Sequence, residues 1–150
     1  SLRCGWVVAD EHFTRRAWRL ADLYGNAQPF APDWLAARAL PYLPALRQRA
    51  RTLLDTNRAT FEAWARTRED ITHVPAAYGT TICVQPTAVD VSTLCAELRT
   101  RFEVSVVPGH FFEMPHHVRI GLSVEPRVFR EALARMGACL DLIRQAEGDS

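Results

Sequence analysis

The run from Ala45 to about Arg68 is the longest periodic stretch of the chain and constrains its fold more than any other feature. Leu46, Ala50, Leu53, Leu54, Phe61 and Trp64 recur along one side of a helix, while Arg47, Arg51, Arg58, Glu62 and Arg66 occupy the rest. A helix over those residues spans about 36 Å at 1.5 Å per residue, more than a small compact domain needs. Such a helix is expected to connect two bodies, so the chain is read as two parts whose boundary falls along it. The arginine-rich remainder of its surface reads as a solvated face.

Before that helix, Leu2–Ala9 is short, apolar and β-prone, which predicts a buried strand ended by Asp10 and Glu11. Phe13, Ala17, Leu20, Ala21 and Tyr24 then recur at helical steps, with Gly25 and Asn26 as the stop. Gly25 to Pro32 cannot continue a helix and reads as a loop presenting Gln28 and Phe30. Pro32 and Asp33 start a short helix through Leu40, which Pro41 and Pro44 interrupt.

Beyond Asp70 the pattern becomes mixed. Thr80–Gln85 reads as a strand, and Asp90 as the N-cap of a helix carrying Leu94, Leu98 and Phe102. Val104–Val107 and Val118–Ser123 read as two further strands. Pro126 opens a last helix whose apolar stripe is Phe129, Leu133, Met136, Leu140 and Ile143. This order predicts an α/β chain ending in a small α+β domain, a sheet covered on one side by helices.

Charge excludes some partners. The chain has 18 basic residues, all arginine, against 17 acidic ones, so it lacks the basic excess that binding a phosphate backbone requires. No segment approaches the length of a membrane span, and the first ten residues lack a basic start followed by an apolar run. No nucleic acid and no membrane is therefore expected. Cys4, Cys83, Cys95 and Cys139 show no metal-binding spacing and read as small core residues in a reducing, cytoplasmic setting. Replacement of every lysine by arginine fits a genome with strong nucleotide bias.

Arg119 is the most informative side chain. Strand alternation puts Val118, Ile120 and Leu122 on one face and Arg119, Gly121 and Ser123 on the other. A guanidinium on a rigid strand offers parallel N–H donors matched to a carboxylate. By spacing alone a solvent-exposed arginine is the better reading, and only the resemblance below reverses it. His110, His116 and His117 invite a metal or acid–base reading, but adjacent histidines in a strand point to opposite faces, so they read as surface or loop-packing residues with no metal.

The run Val106-Val107-Pro108-Gly109-His110-Phe111-Phe112, followed by Val118-Arg119-Ile120-Gly121-Leu122-Ser123, resembles the end of class I/II pyridoxal-phosphate-dependent aminotransferases. The resemblance implies that Arg119 grips the α-carboxylate of an amino-acid substrate, and that Pro108 and Gly109 shape a turn beside the active site. Met114-Pro115-His116 stands where many members carry glycine-rich sequence. Leu2–Val8 is similar to the family segment just after its lysine motif, a resemblance that implies Arg3 as a ligand of the cofactor's phosphate.

By the same resemblance, residues 1–44 are the tail end of a large cofactor-binding domain, 45–68 its domain-linking helix, and 69–150 the C-terminal small domain. The cofactor would be pyridoxal 5'-phosphate, the partners amino-acid and keto-acid substrates, and the parent enzyme a homodimer. The family's chemistry needs a lysine to carry the cofactor, and this chain has none. No catalytic residue is thus assigned within it, and the chain alone is expected to be inert. The loop from Gly25 to Pro32 contains no arginine, which leans against an aspartate or glutamate substrate. A free-standing lysine-less domain for binding or assembly, and the ligand-sensing part of a regulator, are the alternatives. The opening strand, lacking neighbours, is expected to be poorly satisfied, and to pair with a second copy or be displaced.

Overall fold

The computed structural model describes residues 4–25 and 30–148. The chain splits into two compact units, Ser1–Arg47 and Gln48–Ser150.

In the first unit, α1 spans Glu11–Tyr24. Asp10 caps it, its carboxylate accepting from the Phe13 N–H at 2.9 Å, and the Gly25 N–H closes the other end on the Ala21 carbonyl at 2.8 Å. α2 spans Phe30–Ala39, starting two residues before the expected Pro32. A short 3-10 turn, Leu40–Tyr42, takes up Pro41 and leads into α3, Leu43–Ala65, with Pro44 tolerated in its first turn. The boundary between the two units falls inside α3.

The described part of the expected opening strand is not formed. Cys4 to Asp10 takes no regular structure and every residue of it is exposed, Val8 at 93%. A strand exists only by pairing its N–H and C=O groups with a neighbour, and no described residue offers one.

The second unit contains four described strands: β1 Ile71–His73, β2 Thr81–Pro86, β3 Val107–Pro108 and β4 Val118–Gly121. They form an antiparallel sheet in the order β1-β2-β4-β3. Helix α4, Val91–Arg101, follows β2, and α5, Pro126–Gly148, closes the chain. Asp90 caps α4, accepting from the Ser92 N–H at 2.8 Å; the Thr93 hydroxyl first, and then this backbone donor, hold its carboxyl below the usual range.

Alternation sorts the sheet into two faces. On one, Ile82 pairs across from Ile120 and Val84 from Val118, and all four are buried. They join Phe61 of α3, Leu94 and Leu98 of α4, and Phe129, Leu133, Met136 and Leu140 of α5 in one core. Burying these side chains contributes roughly 2 kcal/mol each, which makes this the stable centre of the unit.

Two polar features tie the core down. Asn57 on α3 is fully buried, and its amide Nδ2 donates to the Leu122 and Val124 carbonyls, each at 2.8 Å. Arg68 donates through Nε to Asp70 at 2.8 Å, is bonded a second time to the same carboxylate, and reaches Asp141 of α5 at 2.8 Å. The guanidinium holds the Asp70 carboxyl below the usual range, and the carboxylates raise Arg68 in turn. No described helix is long and apolar enough to cross a membrane.

Candidate functional site

The second face of the sheet carries Arg119. Its strand neighbours across the ladder are Cys83 on β2 and Val107 on β3, so its backbone is held from both sides. Thr81 and Gly121, opposite each other on the same face, are exposed, while Arg119, Cys83 and Val107 are half-buried. The arginine therefore emerges on the half-exposed face, as strand alternation predicts.

The segment after β3 supplies what lies against it. Gly109–Phe112 forms a 3-10 turn, and Glu113 ends it in a left-handed conformation with φ 61°. The Gly109 N–H donates to the His117 carbonyl at 2.7 Å, and the Met114 N–H returns to the Gly109 carbonyl at 3.0 Å. Position 109 must be glycine, because a Cβ there would sit 2.1 Å from the Met114 carbonyl oxygen and 2.6 Å from that of His117. The folded-in loop delivers Phe112 to the arginine, whose Cζ lies 4.2 Å from the ring centroid.

That arrangement leaves the guanidinium chemically available. Ring stacking uses its flat face, whereas its N–H groups lie in the plane and point outward from the edge. Among the described residues Arg119 makes no ion pair. A positively charged edge with paired donors on a rigid strand can bind a carboxylate bidentately.

Arg3, by contrast, falls outside the described residues, as do Asn26 and Gln28 of the loop expected to face a substrate. The histidines are not on a strand: His116 and His117 lie in the loop ahead of β4. His110 and His116 border an open groove of about 830 Å³ with Gln85, Asp90, Ser92 and Pro115. His117 is half-buried with its Nδ1 unpartnered. Among the described residues no three histidine, cysteine or acidic side chains are grouped to hold a metal ion.

The cysteines divide rather than sharing one environment. Cys139 is buried and burial pushes its thiol up; Cys83 and Cys95 are half-buried; Cys4 is exposed and its Sγ donates to Asp33 at 3.2 Å, which raises its pKa. The expectation of four core cysteines thus holds for Cys139 and fails for Cys4, which sits in the uncovered opening segment.

Phe112 was not singled out by sequence reasoning. It is one of two adjacent phenylalanines in an irregular loop, where no periodicity says which one faces the sheet; only its place three residues after a constrained glycine hinted at a fixed position.

Comparison with known proteins places this geometry. The family model for aminotransferase class I and II matches residues 1–136. Capreomycidine synthase of Streptomyces vinaceus is 32% identical over 124 residues, covering 81% of this chain and 32% of that protein. Among solved structures, a PLP-dependent aminotransferase from Streptococcus suis 89-1591 superposes with a TM-score of 0.86 at 24% identity, over 93% of this chain and 37% of that one. The α-aminoadipate aminotransferase LysN from Thermus thermophilus gives a TM-score of 0.79 at 16% identity, over 93% of this chain and 38% of that one. The chain spans about a third of the length of these relatives.

Proposed function

This chain belongs to the aminotransferase class I and II family, and from that premise we propose that it is the C-terminal part of a pyridoxal-phosphate-dependent aminotransferase in which Arg119 binds the α-carboxylate of the amino-acid substrate. The observation that carries the reading is the Arg119 guanidinium itself, which lies over the Phe112 ring, makes no ion pair among the described residues and is fixed on β4 between Cys83 and Val107.

The residues present fit one of the tasks that such an enzyme must perform. The Arg119 guanidinium presents two parallel donors, so it fixes both oxygens of a carboxylate and with them the orientation of the adjoining Cα. Pyridoxal phosphate, when bound, supplies the electron sink for negative charge developing at that carbon. Arg3 would hold the cofactor's phosphate through its guanidinium fork. The sequence has no lysine, so no side-chain amine in these residues can attach the cofactor or move a proton at Cα.

In this reading residues 1–44 belong to the large domain, 45–68 link it to the rest, and 69–150 are the small domain. The many exposed apolar side chains of the first unit, among them Trp18, Leu23 and Phe30, support it, since so many uncovered large apolar groups call for a cover. The enzyme would act as a homodimer on an amino acid and a keto acid, and the 150-residue chain alone would be inactive.

The test is Arg119→Gln in the complete protein encoded by the reading frame that carries this chain. Loss of a bidentate charge-assisted pair should raise KM for the amino acid by about 10- to 100-fold. An unchanged KM, or clear transamination by the purified 150 residues, would overturn the proposal.

A further inference from the structure

We infer that Phe112 is a positioning residue for the carboxylate site: its ring sets the plane of the Arg119 guanidinium, so that the loop from Gly109 to His117 is part of the site and not merely its border. The inference rests on the reading of Arg119 as the carboxylate ligand.

Three observations converge on it. The Arg119 Cζ lies 4.2 Å from the Phe112 centroid, stacking distance for a cation on an aromatic face. Arg119 has no ion pair among the described residues that could orient it instead. The loop that brings the ring in has little freedom of its own, because Gly109 is packed against the Met114 and His117 carbonyls and hydrogen-bonded to both residues.

The chemistry explains why an aromatic serves better than an acid. A carboxylate partner would occupy the in-plane N–H groups and compete with the ligand. A ring attracts the cation through its face and consumes no in-plane donor, so a guanidinium held over it keeps its N–H groups for a ligand. A long arginine side chain otherwise loses rotamer entropy when it binds, and prior immobilisation removes part of that cost. Phe112 itself is 42% exposed, so its ring also offers an apolar edge beside the bound carboxylate.

The experiment uses the complete protein and calorimetric binding of 4-methylvalerate, a carboxylate probe, with the neutral 4-methylpentan-1-ol as its control. Phe112→Leu keeps apolar bulk and removes the π face; it should weaken 4-methylvalerate about fivefold, within the range cation–π stacking supplies, and leave the alcohol unchanged. Phe112→Tyr keeps the face and should bind the carboxylate as the parent does. Steady-state kinetics should show the same split, with KM for the amino acid rising in Phe112→Leu and kcat changing little. The inference is overturned if Phe112→Leu binds the carboxylate normally, or if leucine and tyrosine weaken it equally, or if carboxylate and alcohol fall together. Arg119→Gln separates the two levels of the argument: carboxylate binding lost there but intact in Phe112→Leu removes the role of Phe112 alone, whereas binding intact in Arg119→Gln removes the underlying reading.

Discussion

The two units are built from helices of similar quality and differ in what those helices bury. α1 is well capped and strongly two-sided, with Phe13, Ala17, Leu20 and Tyr24 along one stripe, yet it has no buried residue. α4 has a less sharply divided sequence and the same kind of aspartate cap, yet Val91, Leu94 and Leu98 are buried beneath it. The difference lies in the partner. α4 faces a sheet whose inner side chains are ranked by alternation, while the apolar stripe of α1 meets solvent. Local sequence forms both helices, but only the second unit converts an apolar stripe into a core.

The sharpest way to break that contrast is to cut the core. Phe61→Ala should cost about 4 kcal/mol in urea unfolding, the usual loss for a fully buried aromatic. A much smaller loss would mean the second unit is as loosely packed as the first. Gly109→Ala ranks next: its new methyl group meets two backbone carbonyls, and the shift it forces should cost about 3 kcal/mol. The same substitution should separate Phe112 from Arg119, visible as weaker carboxylate binding in the complete protein.

Acid probes the contrast more finely. Asp70 is buried, and Arg68 lowers its folded-state pKa below the unfolded value. Its contribution is therefore present above the ordinary carboxylate value of about 4 and is lost as pH falls through the lower folded value. Asp70→Asn should remove about 2 kcal/mol at neutral pH and flatten the acid limb of stability measured by urea unfolding between pH 5 and 2. The smallest effect belongs to the first unit. Trp18→Ala, at a position 72% exposed, should change the unfolding free energy of the isolated chain by less than about 0.5 kcal/mol. A loss of several kcal/mol there would show that α1 has a covered face after all.

Much of the second unit was legible because its signals are local. Asp90 and Pro126 mark helix starts that the structure keeps, and the alternation of Val118, Arg119 and Ile120 sorted the inner face from the outer one correctly. Other features depend on contacts that no local pattern encodes. β1 is three residues long, too short for alternation to register, and exists because it pairs with β2.

The expected strand over Val104–Val107 shrinks to its last residue plus Pro108. The cause is helix α4. The Val104 N–H closes the end of that helix on the Leu98 carbonyl at 2.9 Å, with Glu103 left-handed at φ 54° in the place where glycine usually announces such a cap. The opening segment is irregular for the opposite reason: Cys4–Ala9 has the composition of a strand, but no described residue pairs with it, the displaced outcome expected where neighbours are lacking. The face on which Arg119 emerges was legible from its strand, whereas the approach of Phe112 to it needed the loop's path in three dimensions.

The Asn57 amide has a mechanical consequence. One side chain grips two alternate carbonyls of the segment leaving β4, those of Leu122 and Val124, from the middle of α3. Rolling the helix about its axis would pull both bonds at once, so the helix and the arginine-bearing strand turn as a single riveted piece. Whatever tilts α3 carries the guanidinium of Arg119 along with it.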